Sequence, residues 1–314
     1  MNASWEMYSD FRLDGEPCSP VVLFSKWRVW QALVAFFLIK FISSITPQLS
    51  SGRCGANSGP PELPRVPLSG IPLARRNRGN LEFDFQALRP MEFPPLIFED
   101  ANLATAAPAV MDTLWADGWR HFGSHFFRYS LTVAEDGSLQ RIMPLRIDLA
   151  EFRLSKSHRR IMRHNADLAI GIAPATVDDQ REAMFQRHKN RFKSNIPETL
   201  RDFMPEADPS HTPCECREIQ AREPERLIAI SYFDLGADSA SSVYGIFEPD
   251  AAWRSPGILT LLMEIEFARS TGRRFLYLGY ATFEPSHYDY KKRFHGLQRF
   301  DWLGNWIALT PAAI

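Results

Sequence analysis

The spacing of apolar residues changes period several times along the chain, and each change marks an element. In VMDTLWADGWRHFGSHFFRYSLTV, Met111, Leu114 and Trp115 recur at helical spacing, Gly118 breaks the run, and the aromatics that follow read as a strand. GSLQRIMPLRIDLAEF gives a turn and then an alternating strand through Leu145, Ile147 and Leu149. Thr176 followed three residues on by Asp179 predicts a capped helix running to about Phe192. Residues 205–224 are polar and contain Pro205, Pro209, Pro213 and Pro224, so a surface loop is expected there. RLIAISYFDL and SSVYGIFEP read as two strands joined by a Gly-Ala-Asp-Ser turn, an antiparallel hairpin. After it, Ile258, Leu261, Leu262, Ile265 and Ala268 form the core-facing stripe of a helix that stops at Thr271-Gly272, and RRFLYLGY supplies the next strand.

The N-terminal part lacks this regularity. KWRVWQALVAFFLIKFISSI places Lys26 and Arg28 before eight unbroken apolar residues, 32–39, and Lys40 then interrupts them. That is short for a membrane-spanning helix and near the length of a signal-peptide core. Eight prolines between Pro60 and Pro95 mark a disordered linker. Residues 1–90 are therefore read as a poorly structured extension with a short apolar segment, in preference to a membrane anchor, and folded-type patterning begins at Met91.

The chain has 314 residues, with 36 Lys+Arg against 37 Asp+Glu, enough for one large domain or two modest ones and not the balance of a generic polycation. Cys18, Cys54, Cys214 and Cys216 are too few and too scattered for a disulfide framework. Cys214-x-Cys216 is too closely spaced for the usual zinc knuckle, so a reduced cytosolic loop is expected and no metal site.

The order hairpin, Arg254–Gly257 turn, helix, strand is the central unit of the N-acetyltransferase-like (GNAT) fold. An α+β fold is expected, with a mixed central sheet flanked by helices and a small α+β N-terminal domain ahead of it. A glycine-bearing turn at a helix start offers backbone N–H groups and a favourable dipole to an anion, and Arg254 adds a guanidinium fork suited to phosphate. GNAT enzymes carry Arg/Gln-x-x-Gly-x-Gly/Ala at this turn and use acyl-CoA. Here the sixth position is Leu259, which would crowd a pyrophosphate. An ordinary helix cap beside a surface arginine has the same pattern.

Two basic runs alter that picture. RLSKSHRRIMRHN carries Arg153, Lys156, Arg159, Arg160 and Arg163 with no acid, and RHKNRFK carries Arg187, Lys189, Arg191 and Lys193. Neither contains the acidic i+4 partners of a solvated helix face, so the charge must be met from outside, and a polyphosphate fits better than one CoA. In a GNAT frame that points to an aminoacyl-tRNA as donor.

GWRHFGSHFFR, PLRIDLAEFRLSKSHRRIMRHNADL, SSVYGIFEPDAAWRSPGILTLLMEIEFARSTGRRFLYLGY and YDYKKRF resemble, in order, successive motifs of the aminoacyl-tRNA–protein transferases, from about Trp115 to Phe300. These are the arginyl transferases and the bacterial aspartate/glutamate leucyltransferases, and the short folded part favours the bacterial type. The resemblance implies transfer of leucine or arginine from charged tRNA to the N-terminal α-amine of proteins beginning with Asp or Glu, a step in N-degron protein degradation in the cytoplasm. It divides the chain into the extension, an N-terminal transferase domain at 91–170 and a GNAT-like C-terminal transferase domain at 171–314. Aminoacyl-tRNA and acidic protein N-termini are then the expected partners, a membrane is not, and no cofactor is implied. The family has cysteines just after the segment matching FFR, associated with an iron–sulfur cluster or other metal, and this chain has none there. Two alternatives stand beside this reading, a CoA-dependent N-acyltransferase and a catalytically silent tRNA- or degron-binding homologue.

An aminoacyl ester is already activated, and an α-amine with a pKa of about 8 is partly neutral at neutral pH. What remains is proximity, oxyanion stabilisation and a proton for the departing ribose oxygen. HYDYKKRF offers Tyr290 as the hydroxyl, with Lys291 and Arg293 as cations, one of which could pair with the acceptor's acidic side chain. Tyr290 and Phe294, four apart, would also suit plain packing. By match to the family pattern, Arg159, Arg160, Arg163 and Asn165 are the expected tRNA or acceptor contacts, with His158 where the family has Gln. Arg254 and Gly257 are assigned to the donor's phosphate, and Tyr244 and Tyr280 to a slot for the donated residue or for adenine.

Overall fold

The computed structural model describes residues 95–134, 137–192 and 196–309, together with a two-residue strand pair, β1 (Arg76–Asn77) and β2 (Asn80–Leu81). The apolar segment at 26–45 lies outside the described residues. So does the expected linker at 50–95, except for that strand pair and residue 95. Among the described residues, no helix is long and apolar enough to cross a membrane.

The molecule is mixed α+β. Its main sheet runs in the order β14 (Trp306–Ala308), β13 (Leu297–Phe300), β7 (Leu139–Asp148), β12 (Phe275–Thr282), β11 (Ser239–Phe247), β10 (Arg226–Leu235), β9 (Cys216–Glu223), β8 (Ala169–Pro174). Strand β6 (Leu131–Val133) pairs with the start of β7, and a separate small sheet holds β3 (Phe98–Asn102), β4 (Arg120–Phe122) and β5 (His125–Tyr129). All pairings of the main sheet are antiparallel except β11 with β12. That parallel pair is joined by a crossover helix, Pro256–Ser270, as parallel neighbours require. Strands β7 and β8 come from the 91–174 region and pair with β12, β13 and β9, so the two halves of the folded chain share one sheet.

Among the described residues, four helices accompany the sheets: α1 (Pro108–Ala116), α2 (Lys156–His164), α3 (Asp179–His188) and α4 (Pro256–Ser270). On α4 the predicted stripe is buried, Leu261, Leu262, Ile265 and Ala268 fully and Ile258 in part, against Leu145, Ile147, Phe233 and Leu276. Each such aliphatic side chain contributes roughly 2 kcal/mol on burial, so this face alone anchors the crossover. Alternate residues of β10 serve the opposite side, where Ile230 and Tyr232 pack with Met184 and Phe185 of α3. Strand β10 is buried over nearly its whole length because helices cover both faces.

Three expectations are corrected. Asp178, not Thr176, caps α3 by accepting from the Arg181 N–H, and α3 gives way at His188 to a 3-10 turn, Lys189–Arg191. Residues 216–223 form β9 rather than loop, and its Glu218 is fully buried against the Arg181 guanidinium. Leu259 points into an apolar cluster with Leu168, Ile228 and Ala251, so it does not crowd the helix start.

Candidate active site

The parallel strands β11 and β12 pair only where Ser239, Ala240 and Ser241 meet Phe275, Leu276 and Tyr277. Beyond those three residues each strand continues without the other, to Phe247 and Thr282, and the sheet opens into a splay. Strand β12 bulges between Tyr277 and Gly279, where Gly279 has φ 75°. A Cβ on Gly279 would lie 2.3 Å from Nη1 of Arg120, so only glycine leaves room for that guanidinium. Arg120 comes from β4 and closes the mouth of the splay, with Nη1 donating to the Ser242 carbonyl at 2.9 Å and Nη2 to the Val243 carbonyl at 3.4 Å.

Two further ionisable groups enter the same opening. The Lys291 amine, on the 3-10 segment His287–Arg293, donates to the carbonyls of Leu278 at 2.7 Å and Tyr280 at 3.3 Å. Burial, and then repulsion from Arg120, push its pKa down to about 7. Glu264 on α4 is fully buried, accepts a long hydrogen bond from the Ser242 hydroxyl at 3.4 Å, and leaves Oε2 without a partner. Burial raises its pKa to about 8, only partly offset by the nearby Ser231 and Ser242 hydroxyls and the Lys291 charge. The site thus holds an amine that can take a proton near neutral pH beside a carboxyl that keeps its own, the divergence of acid and base that proton-transfer sites use.

Tyrosines wall the opening. The Tyr280 ring retains some solvent contact while its hydroxyl is enclosed, donating to the Gly118 carbonyl at 2.7 Å, and the ring stands edge-on to Tyr129 at 5.2 Å. Tyr244 stacks on Phe203 at 3.7 Å. Tyr290 keeps 38% of its surface in solvent, and its hydroxyl is pushed up to about 12 by desolvation and by Tyr288. Tyr290 senses Glu264, Arg191 and Arg120, and Tyr244 senses Arg191 and Tyr290, so these groups share one electrostatic neighbourhood.

Of the residues singled out in the sequence, the structure therefore brings Tyr244, Tyr280, Tyr290 and Lys291 together at the splay, while Arg293 is exposed on the same 3-10 segment. A second group surrounds the start of α4. Arg254 forms a bidentate pair with Asp167 at 3.0 and 2.9 Å and approaches Glu223 at 3.5 Å, so its fork is occupied by carboxylates of the same chain. Gly257 has only the Phe247 ring within contact distance, at 3.6 Å, and a methyl group would be tolerated. Asn165 is buried as the C-cap of α2, donating to the Ile161 carbonyl at 2.8 Å and the Arg254 carbonyl at 2.9 Å. It braces two elements and offers no surface for RNA. His158 closes a capping box with Ser155 and stacks on Phe294 at 4.7 Å.

Arg159, Arg160 and Arg163 are exposed on α2. The second basic run differs from expectation, because Arg187 pairs with the buried Glu248 at 2.6 Å and Arg191 lies over the Phe247 ring at 4.7 Å. Arg120 and Glu264 were missed from sequence. Arg120 sits inside the motif GWRHFG, and Glu264 interrupts the apolar face of α4 one turn before Ala268, which is the signal a buried acid leaves. The segment after FFR contributes strands β6 and β7 and holds no thiol at 126–148, so an iron–sulfur cluster does not fit there.

The family described as Arginine-tRNA-protein transferase, C terminus, matches residues 178–301. An aspartate/glutamate leucyltransferase of Stenotrophomonas maltophilia is 32% identical over 174 residues, 52% of this chain and 67% of that one. Another, from Hahella chejuensis, is 26% identical over 184 residues, covering 58% and 76% of the two chains. The crystal structure of FemX overlaps 57% of this chain and 61% of its own at 9% identity and a TM-score of 0.37, too slight a likeness to argue from.

Proposed function

The chain belongs to the aminoacyl-tRNA–protein transferases, and from that premise we propose that it transfers leucine or arginine from charged tRNA to the N-terminal α-amine of proteins beginning with Asp or Glu. The observation that supports the reading best is the splay itself, an opening between two parallel strands that holds Lys291 and Glu264 with their pKa values driven towards neutrality. In this reading the fold is GNAT-like, with the hairpin β10–β11, crossover α4 and strand β12 as its central unit.

The ester carbonyl of the donor lies in the splay, and the acceptor amine attacks it. Lys291, neutral in part at pH 7, takes the proton that the attacking nitrogen loses. Tyr290 gives a proton to the departing ribose oxygen, and Arg120 supplies positive potential at the mouth of the opening. Arg293, in solvent on the same segment, pairs with the acceptor's Asp or Glu side chain, which gives the selectivity for acidic N-termini. Arg159, Arg160 and Arg163 meet the phosphates of the tRNA. Tyr244 and Tyr280 line the slot for the donated residue with their rings, since the Tyr280 hydroxyl is already committed to Gly118. The reaction draws on no ATP, and it belongs to the cytoplasm, where its tRNA donor is charged.

The full-length protein is incubated with labelled leucyl- or arginyl-tRNA and peptides beginning with Asp, Glu or Ala. Transfer from one of the two tRNAs to the acidic peptides alone is expected. RNase-insensitive acylation from an acyl-CoA, or RNA binding with no transfer to any peptide, would overturn the assignment.

A further inference from the structure

Behind Arg120 lies a cluster that the transfer reaction does not use. His121 is the next residue of β4, and in a strand it faces the opposite way. His121, Cys214 and Asp234 are all buried, at 5%, 5% and 2% exposure, and their ligand-type atoms lie within 4.8 Å of one another. They come from three places in the fold, β4, the loop before β9, and β10.

The hydrogen bonding of this cluster is incomplete. His121 Nδ1 lies 3.0 Å from the Gly123 carbonyl, which can only accept, so Nδ1 carries a proton and Nε2 is turned the other way. That Nε2 stands 2.9 Å from Asp234 Oδ2, yet neither atom has a hydrogen bond. Two such atoms at that distance need a positive species, a proton or a metal ion, to join them. A small cavity of about 10 Å³, lined by His121, Asp234 and Cys216 among others, adjoins the cluster, space for one small guest. Cys214 and Cys216 form no disulfide.

We propose that His121 Nε2, the Cys214 sulfur and the Asp234 carboxylate bind one divalent transition-metal ion of the zinc or iron(II) type. A mixed imidazole, thiolate and carboxylate set suits such borderline ions and not the oxygen-seeking calcium or magnesium. Binding replaces the Cys214 S–H proton with the metal and releases that proton to solvent. One feature of the surroundings is that of a supported ligand set: the Gly123 carbonyl accepts from His121 Nδ1 and so orients the ring. The ion ties β4 to β10 and to the Cys214 loop, and through the adjacent residue it holds Arg120 in the splay. This site is separate from the cysteine positions that the family places after FFR, and the inference does not depend on the proposed transfer reaction.

Full-length protein is stripped with a chelator and titrated with Co2+, followed by competition with Zn2+. A single equivalent giving a thiolate-to-cobalt absorption band, displaced by Zn2+, is expected. Cys214→Ser should abolish the band, Cys216→Ser should keep it, and His121→Gln should weaken binding roughly 100-fold or more. Should Cys214→Ser fail to fold, the wild-type protein gives a second measurement: Zn2+ should protect Cys214 from alkylation, with mass spectrometry identifying the thiol and so separating it from Cys18 and Cys54. No stoichiometric binding, a band that survives Cys214→Ser, or Cys214 alkylated equally with and without Zn2+ overturns the proposal. So does an NMR spectrum of the stripped protein with His121 doubly protonated and unmoved by Zn2+, because an imidazolium–carboxylate pair then explains the contact.

Discussion

The carboxyl of Glu264 is the most exacting group to test, because nothing about its helix requires an acid there. It is fully buried, and burial lifts its pKa from 4.5 to about 8, against partial relief from Ser231, Ser242 and Lys291. A folded-state value above the unfolded one means that the protonated form stabilises the fold. That contribution is complete below pH 4.5 and is lost as pH rises through about 8. The size of the shift corresponds to on the order of 4 kcal/mol across that window, reduced to about 2 kcal/mol as water enters the splay around the ionised group. Glu264→Gln keeps the shape and removes the titration. Urea denaturation of both proteins at pH 5 and pH 8 should therefore show the variant close to the wild type at the lower pH and about 2–4 kcal/mol more stable, relative to it, at the higher. Lys291 titrates in both proteins, so its own contribution largely cancels in the difference. If the gap between the two proteins is the same at both pH values, Glu264 is not held neutral in the fold and the acid–base reading of the splay fails.

Lys291→Met should lower the transfer rate by about 10²–10⁴-fold, the range of general acid–base catalysis, and the wild-type rate should fall as pH drops below about 7, where the amine becomes charged; rate–pH profiles of both proteins check this. Changing Arg159, Arg160 and Arg163 together to alanine should reduce the slope of log binding constant against log salt by about 2, measured by filter binding of charged tRNA, and an unchanged slope removes them from the RNA surface. Arg254→Ala loses a pair with the exposed Asp167, so it should cost about 1 kcal/mol in thermal unfolding and leave that salt slope alone. Gly279→Ala should cost more than about 2 kcal/mol and displace Arg120, because φ is 75° and the added methyl meets the guanidinium at 2.3 Å; a melting temperature equal to wild type contradicts the packing described.

The sequence made the crossover unit legible because its elements have clean periods. The stripe of α4, the alternation of Leu145, Ile147 and Leu149, and the Gly272 terminator at φ 77° all stand where periodicity placed them. Strand β9 was hidden because Arg217, Glu218, Gln220 and Arg222 fill it with polar side chains, and only the pairing of Glu218 with Arg181 makes such a strand buriable. Strand β8 was hidden for the opposite reason, being a short edge with nearly every side chain exposed. At the start of α4 the pattern offered a phosphate fork, and Asp167, nearly ninety residues earlier, had already taken it. The splay was half visible. Tyr290 and Lys291 could be named from their motif, whereas Arg120 becomes part of the site only once β4 folds over the gap between two distant strands, a contact no local pattern encodes.

The pairing of Asp148 in β7 with Phe275 in β12 also says something about how such a chain must be made. During synthesis β7 leaves the ribosome with only β6 beside its first residues and long before β12 and β13, so the rest of its edges stay open while the whole intervening polypeptide follows. Closure of the sheet falls to the last segments produced, a slow, long-range event by its topology. Recombinant yield should accordingly improve with cooler, slower expression or added chaperone.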